Sequence, residues 1–257
     1  MGMKSVGGLS SLLSPFNITL SSMYNNIFSA ILTILYVKSV MELAHFIRVK
    51  YKVIELSRKF VHLAACSFVI FWPLFDSNHW GWRLNVTVPF VMSLRLLYKG
   101  AILKDPEDED VRSMSRTSSP SELLYGPLQM TLIMCYVGLT KYMTSTGIII
   151  MASLVGDWLA AIVGLQYGKF KYNVPLSGEK SIEGTVGCII GTMFGVWFYS
   201  YMCSIEVEGG WLIMLSYGCI SAVVEATSIK NWDNLLLAIA MEVSANHLPN
   251  YIVDDDG

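Results

Sequence analysis

Apolar residues in this chain gather into long runs that are separated by short polar segments. Each run approaches the ~20 residues that an α-helix needs to cross the hydrocarbon core of a bilayer. The pattern predicts an all-α, polytopic integral membrane protein with about 7–8 transmembrane helices in a single domain over residues 1–257. The eight predicted spans are 27–47, 59–75, 84–99, 126–143, 146–166, 184–204, 210–229 and 233–252.

The composition agrees with a membrane protein. Hydrophobic residues make up 53% of the 257 positions and charged residues 15%, whereas a soluble domain carries ~25% charged residues. The net charge of -2 gives no indication of a nucleic-acid partner. The one long charge run is acidic, from Asp105 to Asp110, and its pattern is typical of a solvated, mobile loop.

The basic residues are distributed asymmetrically among the predicted loops. If all eight spans cross, 13 of the 18 Lys and Arg lie on one side, in or beside the loops 48–58, 100–125, 167–183 and 230–232. The positive-inside rule assigns this side to the cytoplasm-equivalent compartment. The same loops carry nearly all the polar motifs, so the sequence predicts one site at one membrane face.

The segment 156–168 combines a buried acid with small residues. Asp157 lies inside an apolar run, where an ionised carboxylate is costly unless it is paired or bound to a cation. Gly156, Ala160, Gly164 and Gly168 recur every four residues. Such a stripe either packs two helices together or lets the backbone approach a phosphate closely.

The loop that follows is basic. Lys169, Lys171 and Lys180 supply positive charge, and Ser181 and Glu183 open the next predicted helix, whose N-terminal N–H groups suit a phosphate. A carboxylate for a magnesium ion and lysines for phosphate oxygens are the minimal set for phosphoryl transfer, which depends mainly on positioning and charge neutralisation.

Two further clusters could bind phosphate, or they could be a membrane-surface anchor and a connecting loop. Arg58, Lys59 and His62 share one helix face at the start of the second span, and they could instead anchor that span at the membrane surface. Arg116 and Glu122 lie in the largest loop and could simply lead into the fourth span.

A last cluster lies where two predicted helices meet. Glu225 lies near the end of one apolar run, and Asp233 and Asn234 begin the next. Two carboxylates and an amide in this position could hold a metal ion or be ordinary helix caps.

Together these segments resemble the phytol/farnesol kinase family, within the wider dolichol-kinase group of polytopic enzymes. The order and spacing agree over about residues 55–240. The segments that carry the resemblance are SRKFVH at 57–62, FWPLF at 71–75, LRLLYKG at 94–100, RSMSR at 112–116, ELLYGPL at 122–128, GDWLAAIVGLQYGK at 156–169, EKSIEGTVG at 179–187 and VEATSIKNWDNLLLAIA at 224–240.

One segment departs from the family's GDGxADxxGRRFGK pattern. This chain has Trp158 and Ala161 in place of the second glycine and the second acid. It also has Leu165 and Gln166 in place of the arginine pair, which removes two positive charges near the expected phosphate site.

The resemblance implies a kinase that transfers the terminal phosphate of a nucleoside triphosphate, commonly CTP, to an isoprenoid alcohol at the membrane, with Mg²⁺. Phytol, geranylgeraniol, farnesol and dolichol are the candidate acceptors. The candidate catalytic residues are Asp157, Lys180 and Glu183, and the candidate metal ligands are Asp157 and Asp233. The candidate nucleotide- or phosphate-binding residues are Arg58, Lys59, His62, Arg116, Gly164, Gly168, Lys169, Ser181 and Gly184. The candidate supporting residues are Glu122, Glu225, Asp233 and Asn234.

Several alternatives stay open at this level. The base that takes the alcohol proton is Asp157, Glu122 or His62, with Asp157 favoured if other groups hold the metal. The chain could also be a diacylglycerol kinase, a phosphatidate cytidylyltransferase-like enzyme or an ion-coupled transporter. The membrane is either the plastid envelope or the endoplasmic reticulum.

Overall fold

The structure, a computed structural model, describes residues 22–51, 54–115, 117–229 and 231–253. The predicted phosphate-binding residue Arg116 lies outside this part of the chain. The α-helices of the described residues are α1 Ser22–Tyr51, α2 Ile54–Cys66, α3 Thr87–Leu97, α4 Glu109–Met114, α5 Gly126–Thr140, α6 Ser145–Tyr167, α7 Ile182–Cys203, α8 Gly210–Thr227 and α9 Asp233–Val253. Short 3₁₀ or π-helical segments cover Ser67–Leu74, Trp80–Val86, Tyr98–Leu103 and Pro120–Leu124.

The predicted all-α, polytopic architecture is confirmed. Six helical segments of the described chain are long and apolar enough to cross a membrane: Ser22–Lys50, Trp80–Leu103, Pro120–Thr140, Ser145–Tyr167, Ile182–Cys203 and Gly210–Thr227. The predicted count of 7–8 spans is therefore approximate. The predicted span 59–75 divides into α2 and a 3₁₀ segment that contains Pro73, because proline has no N–H for a regular helical hydrogen bond.

Helix α6 forms the centre of the bundle. Every residue from Gly147 to Asp157 is buried, and the helix packs against α2, α7, α8 and α9. A helix that is apolar on all sides is stable when neighbouring helices enclose it. The central position of α6 therefore places Asp157 inside the protein rather than against lipid.

The small-residue stripe packs α6 against α7. A Cβ atom on Gly156 would lie 2.1 Å from Thr192 Oγ1 and 2.8 Å from Cys188 O. From the facing helix, a Cβ atom on Gly191 would lie 3.0 Å from Gly156 Cα. The two backbones approach closely because glycine and other small residues leave room at the crossing, so helix packing accounts for Gly156.

We expect a Gly156→Val substitution to destabilise the protein by about 1–3 kcal/mol, because an overpacked helix contact forces backbone shifts. The measurement is the thermal unfolding midpoint of the purified protein in detergent. A Gly126→Ala variant is the control, since a Cβ at Gly126 meets nothing within 4 Å. Equal unfolding midpoints for wild type and Gly156→Val would contradict the close packing.

The prediction of a fully solvated acidic run is wrong at its C-terminal end. Asp110 is 2% exposed, and its carboxylate binds Arg95 at 2.5 Å and Lys99 at 2.8 Å. Lys99 also binds Asp108 at 2.7 Å. Burial raises the pKa of Asp108, but hydrogen bonds from Lys99 and the Asp110 N–H outweigh burial and hold that pKa below its ordinary value. These ion pairs fix α4 against the end of the span that contains α3.

A β-hairpin, which the sequence did not predict, joins α6 to α7. Strand β1, Lys171–Val174, pairs antiparallel with β2, Gly178–Ser181. Gly178 has a φ of 92°, which glycine adopts at little cost. The hairpin places Lys180 and Ser181 directly at the N-terminus of α7.

Candidate functional site

An amphipathic cavity of about 370 Å³, called here the apolar cavity, opens among the helices. Its lining includes His62, Asp157, Asp233 and Asn234. Asp157 interacts electrostatically with His62 and with Asp233, so these residues lie together, and this part of the wall is called here the polar end. The remaining wall comes from apolar side chains of α1, α2, α3, α4 and α5, such as Val40, Val61, Leu96, Met114 and Met134. The cavity thus has a charged end for polar chemistry and an apolar end for hydrocarbon.

A second cavity of about 510 Å³, called here the basic cavity, lies between the start of α2, the end of α6 and the hairpin. Its cationic lining residues are Arg58, Lys59, Lys171 and Lys180. The opposite wall is formed by small residues of α6 and α7, namely Ala160, Ala161, Gly164, Gly168 and Gly184. A lining of this composition suits an anion that contacts the backbone.

The two cavities share a wall made of charged side chains. Residues that line both are Arg58, Lys59, Glu179, Lys180 and Glu225. These residues come from α2, β2 and α8, which are far apart in sequence. A ligand in one cavity therefore lies next to a ligand in the other, across a wall of three cations and two carboxylates.

Asp157 is held at the polar end of the apolar cavity. Its side chain is almost fully buried, and its Oδ2 lies 3.7 Å from His62 Nε2. The nearby positive charges of Lys59, Lys180 and Arg58 act on the carboxylate, and such charges offset the cost of burying it. The fold thus brings Asp157 within electrostatic range of three of the predicted phosphate-binding or catalytic cations, Lys59, Lys180 and Arg58.

His62 has a defined protonation pattern. Its Nε2 lies 3.1 Å from the Leu154 carbonyl oxygen. Because a carbonyl oxygen only accepts hydrogen bonds, this contact requires a proton on Nε2. The ring thus directs an N–H towards Leu154 and Asp157, and Nε2 is not available to accept a proton in this arrangement.

Lys180 and Glu225 form an ion pair between the cavities. The Lys180 ammonium group donates a hydrogen bond to Glu225 Oε1. Glu225 is 8% exposed, so its carboxylate depends on the lysine for charge compensation. The pair fixes the Lys180 ammonium at the boundary of the two cavities, where an anionic ligand can compete for it.

Ser181 begins helix α7 and orders its first turn. Its hydroxyl oxygen accepts a hydrogen bond from Gly184 N at 3.1 Å, which is the geometry of a helix N-cap. A Cβ on Gly168 would lie 2.8 Å from Ser181 Oγ, and one on Gly184 would lie 3.0 Å from Ala160 O. Glycine is required here by the close approach of the loop, α6 and α7.

Asn234 supplies a buried acceptor close to the two predicted metal ligands. Its Oδ1 has no hydrogen-bond partner among the described residues, and an unsatisfied buried polar atom in a native site requires an explanation such as a bound ion or water. No group of three or more His, Cys, Asp or Glu in the described chain is close enough to hold a metal by itself. Magnesium, however, is bound in many phosphoryl-transfer sites by one or two carboxylates together with substrate phosphates. The donor set of Asp157, Asp233 and Asn234 fits that ion.

Some predicted residues lie away from the cavities. Glu183 lines neither cavity, and its carboxylate accepts hydrogen bonds from the backbone N–H groups of Lys169 and Phe170 at 3.0 and 3.2 Å. It therefore ties the loop to the start of α7. The Lys169 side chain is exposed and lines neither cavity. Glu122 also lies outside them and accepts a hydrogen bond from Thr117 at 2.6 Å.

Sequence reasoning did not identify two lining residues. Glu179 lines both cavities and pairs with Lys171 at 2.7 Å, but its position depends on the hairpin, which has little periodic signal. Asn231 lines the apolar cavity at a φ of 70°. Its place between two helices was a usable signal, because asparagine tolerates this turn conformation better than most residues.

The chain is similar to known proteins over most of its length. The model of a family described as "Cytidylyltransferase family" matches residues 8–245. The chain is 31% identical over 196 residues to "Probable phytol kinase 2, chloroplastic" of Oryza sativa subsp. japonica, which covers 72% of this chain and 63% of the relative. It is 32% identical over 195 residues to "Farnesol kinase, chloroplastic" of Arabidopsis thaliana, covering 72% and 62%.

A further relative, "Probable phytol kinase 1, chloroplastic" of Glycine max, is 32% identical over 160 residues, covering 60% of this chain and 52% of the relative. The chain thus spans about half to two thirds of the length of these curated relatives. No solved structure gave a significant match.

Proposed function

We propose that this chain is an isoprenoid-alcohol kinase, because it belongs to the cytidylyltransferase family, in the group of the phytol and farnesol kinases. The observation that carries the proposal is the wall shared by an apolar and a basic cavity, which includes Lys180 and lies near Asp157. A lipid acceptor and an anionic donor placed in these cavities meet at charged side chains. The whole of residues 1–257 would act as one membrane-embedded kinase domain.

The proposed reaction is a single phosphoryl transfer. The alcohol oxygen attacks the terminal phosphorus of the nucleoside triphosphate, and an O–P bond forms while the bond from that phosphorus to the bridging oxygen breaks. The products are a lipid monophosphate and a nucleoside diphosphate. Asp157 takes the hydroxyl proton, which is supported by its place at the polar end of the apolar cavity and by the N–H that His62 directs at the same region.

The basic cavity is proposed to bind the triphosphate. Lys59 and Lys180 would contact the phosphate oxygens, and the backbone at Gly164, Gly168 and Gly184 lines the same cavity. Asp233 and Asn234, together with the phosphates, would hold Mg²⁺, which leaves the Asp157 carboxylate to act as the base. The ion supplies neutralisation of charge on the phosphates when bound. The family's description supports a cytidine nucleotide, CTP, as the donor.

The names of the relatives support a proposal for the acceptor and for the membrane. Their names specify phytol and farnesol kinases, so phytol, geranylgeraniol and farnesol are proposed before dolichol. The same names specify chloroplastic proteins, which supports a plastid membrane over the endoplasmic reticulum for this multi-pass protein.

The family's description also favours a second candidate, a cytidylyltransferase-like reaction on a lipid phosphate. In that reaction the lipid phosphate attacks the α-phosphorus of CTP and pyrophosphate leaves. The two functions differ in which phosphorus atom enters the lipid, so the position of a radioactive label distinguishes them.

The test uses purified full-length protein with CTP labelled at either the α- or the γ-phosphate. We expect label from γ-labelled CTP to enter phytol, geranylgeraniol or farnesol, and no α-label to enter lipid. The assay also tests UTP and ATP as donors, and dolichol, diacylglycerol and phosphatidate as acceptors. Transfer of the α-label into lipid would contradict the kinase and support the second candidate.

Removal of divalent metal provides a separate prediction. We expect a chelator to abolish phosphate transfer and Mg²⁺ to restore it, because the triphosphate charges must be neutralised for transfer. The assay is the same γ-label transfer with metal titrated back against chelator. Full activity at an excess of chelator would rule out the proposed ion.

A further inference from the structure

The wall of the apolar cavity is unusually rich in methionine. The five methionines that line it are Met41, Met92, Met114, Met130 and Met134. They are contributed by α1, α3, α4 and α5, so they surround the cavity rather than follow one helix. Methionine side chains are unbranched and polarisable, and they adapt to apolar partners of different shape.

The methionines of this wall belong to the packed core and also border the cavity. Met114, Met130 and Met134 are buried within the protein, yet all three border the cavity. Apolar side chains that border a cavity gain dispersion contacts when a hydrocarbon fills it.

The polar groups of the cavity define the direction of a ligand. Asp157, Asp233 and Asn234 line one end, and a hydroxyl group is stable in a buried site only where it finds hydrogen-bond partners. An alcohol bound in this cavity would place its hydroxyl at these residues and its hydrocarbon tail along the methionines.

The part of the cavity wall that α3 and α5 form has a fixed frame. The hydroxyls of Ser93 and Thr131 form a hydrogen bond of 2.8 Å that joins α3 to α5, between Met92 on one helix and Met130 on the other. Lining positions on α5 run from Gly126 to Met134, which is about 12 Å along a helix axis. Flexible side chains on a fixed frame can select ligands by length.

We propose that the methionine wall binds the isoprenoid tail of the acceptor, and that Met92 and Met134 determine which chain lengths the enzyme accepts. This inference rests on the proposed kinase function for its catalytic readout. It adds the residues that recognise the tail, which take no part in phosphate transfer. Small changes of volume at these positions are expected to change acceptor preference more than the rate of the chemical step.

The first experiment replaces Met134 with Trp and measures kcat/KM for a 20-carbon and a 10-carbon isoprenoid alcohol. We expect the preference for the longer alcohol to fall roughly tenfold or more, since one methylene in a hydrophobic pocket already changes discrimination by about 10- to 200-fold. Met92→Ala should shift the preference towards longer chains. Met193→Trp on α7, which lines neither cavity, is the control and should leave the ratio unchanged.

An equal loss of kcat/KM for both alcohols, or an unchanged ratio of the two kcat/KM values in both cavity variants, would overturn the assignment.

The second experiment needs no transfer of phosphate. A 20-carbon alcohol with a photoreactive diazirine at its tail is crosslinked to the full-length protein without nucleotide, and the labelled peptides are identified by mass spectrometry.

Labelling of residues 87–103 and 126–140 supports the tail site, and its loss in Met134→Trp strengthens the assignment. Labelling confined to other helices overturns it. If wild type is labelled here but transfers no phosphate, the kinase proposal fails while the tail site stands, so the two failures are distinguishable.

Discussion

An Asp157→Asn variant should lose nearly all lipid phosphorylation while it keeps its fold. Asparagine has the same shape but neither the charge nor the basicity of aspartate. Removal of one preorganised electrostatic group from an active site typically lowers kcat by ~10²–10³-fold, and the additional loss of a base increases this effect. The measurement is γ-label transfer from CTP to the best acceptor under saturating conditions.

Two controls make the result specific. The unfolding midpoint of Asp157→Asn in detergent should stay close to that of wild type, because the neutral amide removes a buried charge without changing volume. Glu208→Gln removes a carboxylate from an exposed position outside both cavities, and its activity should match wild type. Wild-type activity in Asp157→Asn would remove this residue from the mechanism.

A Lys180→Ala variant should bind the nucleotide much more weakly. The ammonium group lies at the boundary of the two cavities, and a hydrogen bond to a charged group contributes about 1.5–3 kcal/mol, which corresponds to roughly 10- to 100-fold in KM for CTP. The substitution also leaves Glu225 buried without its cation, so some loss of stability is expected.

The double variant Lys180→Ala with Glu225→Gln separates these two effects. It removes both charges, so stability should recover while KM for CTP stays high. Lys104→Ala removes a positive charge from an exposed position that lines neither cavity and should not alter KM. An unchanged KM for CTP in Lys180→Ala would show that this lysine does not contact phosphate.

Two acidic residues have contacts in the structure that differ from those expected from the sequence. Glu183 was a catalytic candidate because it lies beside Lys180 and Ser181 in the sequence. Its carboxylate instead binds the N–H groups of Lys169 and Phe170, a role that the spacing of residues does not reveal. Glu225 was only a supporting candidate, yet it forms the ion pair at the shared wall.

The sequence alone determined the membrane class, because the length and spacing of apolar runs are local properties of the chain. It also singled out Asp157, since one acid in a long apolar segment has a high cost that only a partner or a function explains. The basic loops, with the segments of family resemblance, indicated a phosphate site on one face. Each of these conclusions depends on residues close together in the chain.

Only the tertiary structure decided which polar groups meet and which spaces stay open. Lys180 pairs with a residue 45 positions away, and His62 contacts a carbonyl 92 positions away. Asp110 is buried because α3 presents Arg95 to it, although its sequence neighbourhood is that of a solvated loop. Separate cavities for hydrocarbon and for anion arise from the packing of distant helices, and helical periodicity does not specify that packing.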